Sequence, residues 1–194
     1  TPIVKSFPSE WCLEANSLAI QVHGGYGYTR DFPVEQYWRD NRLNMIHEGT
    51  HGIQAMDLLG RKVLMEKGRG LQLLSERMLA TAAHAESHWA PEAAALRDAL
   101  QQIGQATHLA WEGAEPAEAL ANAVPYLQAF GHTVIAWIWL DVATSLQHDT
   151  SAAAQGRQAA CRYFFRYELP KIGAWLNVVK SRDATCADLP EEAF

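Results

Sequence analysis

Apolar residues recur along this chain at three- and four-residue steps, and no alternating β-branched run lies between turn pairs. That pattern predicts helices and no sheet. The first predicted helix opens near Ser9, a candidate N-cap, with Glu10 in its first turn. Leu13, Ala15, Ser17, Ala19 and Ile20 give it a small-residue face, and Gly24-Gly25 ends it. Residues 24–32, GGYGYTRDF, read as a glycine-rich loop. Pro33 suits the first turn of a second helix that reaches about Ile46. Gly49 interrupts the pattern, and Thr50 can cap a third helix running to about Lys67. Gly68 and Gly70 punctuate its end.

Beyond Gly70 alanine becomes abundant and the glycine-rich loops stop. Helices are predicted near 71–88, 91–111, 116–147, 151–168 and 170–181. Pro91, Pro116 and Pro170 sit where first-turn prolines belong, whereas Pro125 should kink or break its segment. AWIWLD (136–141) reads as core, and the closing DLPEEAF as a loose or docked tail. Arg39, Asp40 and Arg42 suit an internal ion pair or a helix-end network. Arg162, Arg166 and Lys171 suit a solvated basic face. His84, His88, His108, His132 and His148 fall on helical surfaces and edges and receive no role. No repeat of fixed period is present. The expected architecture is an all-α helical bundle in two regions, 1–68 and 69–194.

Composition narrows the partners. At 48% apolar and 20% charged the chain is an ordinary globular sequence. Its net charge of −6 lies wholly beyond residue 69, because residues 1–69 carry eight Lys/Arg and eight Asp/Glu. An acidic second region argues against nucleic acid. Cys12, Cys161 and Cys186 are odd in number and far apart, which suits a reducing, cytoplasmic setting. VIAWIWL (134–140) is too short to span a bilayer. Thr1, not Met, opens the sequence, and the expectation is a fragment or processed piece of a longer protein.

The stretch IHEGTHGI (46–53) poses the main chemical question. His47-Glu48-Gly49-Thr50-His51 fits H-E-x-x-H, which binds zinc when both histidines share one face of a continuous helix. Gly49 and Gly52 place two poor helix formers inside that window, and no third histidine follows in register. The expectation is therefore no metal.

A longer register gives another answer. The run QVHGGYGYTRDFPVEQYWRDNRLNMIHEGTHGIQ resembles the carboxy-terminal helical domain of acyl-CoA dehydrogenases. That family carries Q-x-x-G-G-x-G-[YF], a proline-led helix ending in R-D, then E-G-T and an I-Q pair. The matching positions are Gln21, Gly24, Gly25, Gly27 and Tyr28; Pro33; Arg39 and Asp40; Glu48, Gly49 and Thr50; Ile53 and Gln54. The likeness covers about residues 8–67. The remainder is similar, in length and helical character, to the extra carboxy-terminal region of a larger subgroup. That subgroup includes enzymes resembling the dehydrogenase of 3-methylthiopropanoyl-CoA.

The resemblance implies an FAD enzyme that removes hydrogen from Cα and Cβ of an acyl-CoA. Glu48 maps to the base that takes the α-proton, and desolvation beside a flavin and an acyl slot would strengthen it. The backbone N–H of the same residue can stabilise the enolate, with Gly49 letting the substrate approach. His47 stands where relatives often have Tyr, so it bears on the substrate. Thr50, Gly52 and Gln54 map to the flavin side. Gln21, Val22, His23, Gly24 and Gly25 map to the segment that reaches a neighbouring subunit's FAD, which implies a homo-oligomer. Electron-transfer flavoprotein is the implied electron acceptor. On its own the piece is expected to be inactive. The competing expectations are a non-catalytic oligomerisation module of the same fold and, more remotely, a zinc hydrolase.

Overall fold

The computed structural model describes residues 1–193. It is helical throughout, with no strand among the described residues. The all-α expectation therefore holds. The first helix, α1, is Pro2–His23 and opens earlier than predicted, with Pro2 in its first turn. Ser9 is not its cap. The Ser9 hydroxyl donates back to the carbonyls of Lys5 and Ser6, as a mid-helix serine does. Glu10 is correspondingly interior. GGYGY, expected as loop, winds into a 3₁₀ turn, Gly24–Tyr28.

Two further helices follow, α2 (Val34–Asn41) and α3 (His51–Asp57). A 3₁₀ turn, Arg42–Met45, extends α2 to about the predicted end. Thr50 occupies the N-cap position of α3, although its hydroxyl makes no capping bond. The third helix does not run to Lys67 as one piece. It passes into a π-helical turn, Leu58–Lys62, and stops. Then Met65–Ala85 (α4) begins with Glu66, Lys67 and Gly68 at φ of 50°, 57° and 84°. This left-handed stretch falls next to the composition change at Gly70.

The rest comprises α5 (Ala90–Trp111), α6 (Pro116–Leu120), α7 (Ala123–Ser145), α8 (Ala152–Tyr163) and α9 (Ile172–Ser181). Pro91 and Pro116 lie in first turns. The predicted 116–147 helix is broken between α6 and α7, leaving Pro125 in the first turn of α7. A π-helical turn, Phe164–Glu168, and a 3₁₀ turn, Leu169–Lys171, join α8 to α9. The tail beyond α9 is tied down at its start, where Arg182 donates to the Glu112 carbonyl and the Asn122 amide donates to that of Asp183.

One continuous apolar core joins both regions. Ala55, Leu58, Leu59 and Val63 pack with α5, α7 and α9 residues such as Leu96, Ile103, Leu140 and Leu176. Small side chains bring the helices close: Ala93, Ala99, Ala106 and Ala110 are the buried stripe of α5. Ser6 Oγ and His132 Nε2 are buried without a hydrogen-bond partner, but other enclosed polar groups are matched. The Trp111 indole donates to the Leu59 carbonyl at 3.2 Å, and Thr107 meets the Tyr126 hydroxyl at 2.6 Å. AWIWLD is core only in part: Ala136 and Leu140 are buried while Ile138 is exposed.

Candidate active site

The chain leaves helical geometry where Glu48 lies. His47 N–H still donates to the Leu43 carbonyl. Glu48 then takes φ 55° and Gly49 φ 98°, before Thr50 returns to an extended conformation at the start of α3. A left-handed glutamate has no cap or turn chemistry of its own to favour it, and such a residue costs on the order of 1 kcal/mol or more. Gly49 accepts its positive φ readily. It also lets the Gln54 side chain in, since a Cβ on Gly49 would lie 2.8 Å from Gln54 Nε2. That amide points back at the Glu48 carbonyl, 3.5 Å away, so Gln54 braces the turn.

The break also separates the two histidines. His47 Nδ1 bonds to the Leu43 carbonyl at 2.9 Å. His51 turns to α1, with Nε2 3.3 Å from Ser9 Oγ and Nδ1 3.6 Å from Glu10. The one-faced helix that H-E-x-x-H requires does not form here.

Glu48 and His47 border a cleft of about 320 Å³ against Lys5, Ser9 and Cys12 of α1. The Lys5 ammonium donates to the Asn44 carbonyl at 2.6 Å across its rim. Glu48 is exposed, and so is Thr50. Gly52 has open space where a Cβ would be, so a ligand can approach its backbone closely. The first N–H groups of α3 have no intrahelical partner and face the same way as the Thr50 end. These residues suit the rim of a flavin site, with a hydroxyl and amides as donors.

The other candidates lie elsewhere. Gln21, Val22, His23, Gly24 and Gly25 are exposed at the far end of α1. Gln21 is about 18 Å along the helix from Ser9, at ~1.5 Å per residue. His23 packs on Phe32, ring centroids 4.9 Å apart, and Gly24 and Gly25 have open space around them. One chain therefore presents two separate groups. Arg39, expected in an internal ion pair or a helix-end network, forms an ion pair with Glu35 on its own helix at 3.4 Å, at the surface rather than inside.

A polar cluster was not legible. His132, taken as a surface histidine, is fully buried on α7. Its Nδ1 bonds to the Gln128 carbonyl at 3.0 Å, and Glu168 lies 3.6 Å from its Nε2. Lys171 is exposed, as expected of a solvated face, and also closes on Glu168 at 2.6 Å. Arg162 likewise covers the Trp89 ring at 4.7 Å. Single residues scattered from Trp89 to Lys171 carry no local spacing signal.

The all-α fold sets the class, and sequence comparisons give the family. Residues 1–64 match the family described as acyl-CoA dehydrogenase, C-terminal domain, and residues 74–190 match acetyl-CoA dehydrogenase C-terminal like. The chain belongs to the acyl-CoA dehydrogenase family. It is 37% identical over 145 residues to the 3-methylmercaptopropionyl-CoA dehydrogenase of Ruegeria pomeroyi, covering 70% of this chain and 24% of that protein. It is 26% identical over its whole length to a broad-specificity linear acyl-CoA dehydrogenase of Mycobacterium tuberculosis, covering 34% of that protein. Over 58 residues, 30% of this chain and 15% of the other, it is 43% identical to a subunit of the caffeyl-CoA reductase-Etf complex of Acetobacterium woodii. The chain thus spans about a quarter to a third of the first two. Among the described residues no helix is long and apolar enough to cross a membrane.

Proposed function

We propose that this chain is the carboxy-terminal helical portion of an FAD-dependent acyl-CoA dehydrogenase, with residues 1–68 and 69–194 as its two parts. Glu48 is the base that takes the α-proton of an acyl-CoA thioester. The observation that carries this is the left-handed Glu48 beside Gly49, because strain of that kind persists where function over-determines a residue. The turn holds the carboxylate off the end of one helix and ahead of the next. There the Glu48 N–H can donate to the thioester oxygen as negative charge develops. His47, with Nδ1 held by the Leu43 carbonyl, presents its other edge to the acyl chain. Thr50 and the amide of Gly52 would hold the flavin, with Gln54 bracing the turn behind them. Bound FAD supplies the hydride acceptor. Gln21 to Gly25 contact the FAD of a neighbouring subunit, which makes the enzyme a homo-oligomer.

Thioester chemistry is supported by the relatives' names, among them the Ruegeria pomeroyi relative named for 3-methylmercaptopropionyl-CoA. Electron-transfer flavoprotein is the proposed acceptor, and the Acetobacterium woodii relative's place in an Etf complex supports it. Three unpaired cysteines suit a reducing compartment.

Glu48→Gln in the whole enzyme tests the base. It keeps the shape of the side chain and removes the proton acceptor. The expected outcome is retained FAD and dehydrogenation slower by about 10²–10⁴. Turnover within a few-fold of wild type would place the base on another residue. Absence of turnover in wild type with every acyl-CoA tried would favour a non-catalytic module.

A further inference from the structure

The cluster around His132 does not end at Glu168. His132 hangs from the Gln128 carbonyl, and the Gln128 side-chain amide donates to Glu10 Oε2 of α1 in a short bond. The same Glu10 oxygen lies 3.6 Å from His51 Nδ1. His51 is the first residue of α3, three positions past Glu48. A line of polar groups therefore runs from Lys171 and Glu168, through His132 and Gln128 on α7 and Glu10 on α1, to the foot of the turn that carries Glu48.

Aromatic packing encloses this line at His132, while Glu10 and Lys171 stay partly exposed. Phe7, Trp11, Phe164 and Trp175 surround His132, with ring centroids 4.7–5.8 Å from its own. His132 Nε2 is buried without a hydrogen-bond partner. For the buried His132 Nδ1 the alternative to the Gln128 carbonyl is an unsatisfied group, which makes that contact restrictive in geometry. Among the described residues no other side-chain hydrogen bond or ion pair links the second region to the start of α3. The apolar core fixes the middle of α3 through Ala55, but Thr50 and Glu48 lie outside it.

We propose that Glu168, His132, Gln128, Glu10 and His51 form a polar relay by which the second helical region positions the Glu48 turn. It rests on Glu48 being the base. The relay residues touch no reacting atom; they are positioning residues. Their effect on turnover comes from where they hold the carboxylate, and a misplacement of about 1 Å can cost on the order of a hundredfold.

Amide hydrogen exchange at residues 49–54 of this chain tests the hold without needing turnover. Gln128→Met keeps the volume between α1 and α7 and deletes the amide donor. Exchange at 49–54 is expected to rise about tenfold, with α5 amides within about twofold of wild type. In the whole enzyme the same variant is expected to lower kcat by roughly ten- to a hundredfold, with KM for acyl-CoA within about twofold. A side chain that merely filled space would be replaced by Met without either change. Unchanged exchange at 49–54, or faster exchange with kcat unmoved, overturns the relay. If Gln128→Met does not fold, the isosteric Glu168→Gln at the outer end serves instead. A change in exchange at 49–54 of about threefold or more supports the relay, and none overturns it. Should Glu48→Gln retain activity, the base assignment fails while exchange still reports on the relay, so the two failures are distinguishable.

Discussion

His132 is the residue whose environment departs furthest from what its letter suggests. A histidine within AFGHTVIAW is one polar residue in an apolar run, and nothing local says whether it faces solvent or core. In the fold it is fully buried, and burial lowers its pKa, against the opposing pull of Glu168 and the Gln128 carbonyl. The charged groups facing it are Glu168 and Lys171, from the turns before α9; α1 and α9 offer it aromatic rings. Between its lowered value and the ordinary value of about 6.5, the unfolded chain binds a proton that the folded chain does not. Stability therefore rises with pH through that window, is fully present above about 6.5, and is lost as pH falls through the folded value. Urea midpoints at pH 5 and pH 7 check this against His132→Asn. The wild type is expected to lose more on acidification than the variant. Equal losses would mean that other groups set the acid sensitivity. Glu48, by contrast, was legible, because its neighbours within six residues carry a register.

At the scale of elements, existence was legible and extent was not. Period and proline placement found the helices of the second region, though 116–147 is two helices rather than one. They missed that α1 begins at Pro2, since Ser9 has the letter of a cap but spends its hydroxyl on its own helix. They missed the π-helical turns at 58–62 and 164–168, which have no period of their own. How closely two helices approach was equally hidden. Gly131 lies in the middle of α7, where glycine is a poor choice for the helix itself. Its reason is Phe7: a Cβ on Gly131 would lie 2.1 Å from the Phe7 ring, and Phe7 is buried. The missing side chain is what lets α1 lie against α7 and brings Glu10 to Gln128. Gly131→Ala should therefore destabilise by about 1–3 kcal/mol, despite alanine's better helix propensity. Phe7→Leu in the same background should recover part of the loss. The measurement is the shift in urea midpoint, and a stabilised Gly131→Ala would show that the helices are not in this contact.

For the whole molecule, the two regions differ in what they leave uncovered. The second region buries its apolar residues around α5, α7 and α9. The first exposes a series of large ones: Leu18, Val22, Tyr26, Tyr28, Leu43, Ile46 and Ile53 are each more than half exposed. Many of them flank the two candidate site groups, at the end of α1 and around Glu48. Scattered apolar residues are ordinary on a surface, but this many on one short stretch of chain mark a contact surface. On the proposed function, the rest of the enzyme and a neighbouring subunit cover it, and most flavin contacts come from outside this chain. The 194-residue chain alone should then self-associate at micromolar concentration, show no turnover, and retain little FAD. Sedimentation velocity with and without added FAD measures both properties. The distribution should shift toward larger species with concentration, and flavin absorbance should not sediment with the protein. A monomer that carries yellow, reducible flavin would contradict both expectations, and would show that this chain holds the cofactor with its own residues.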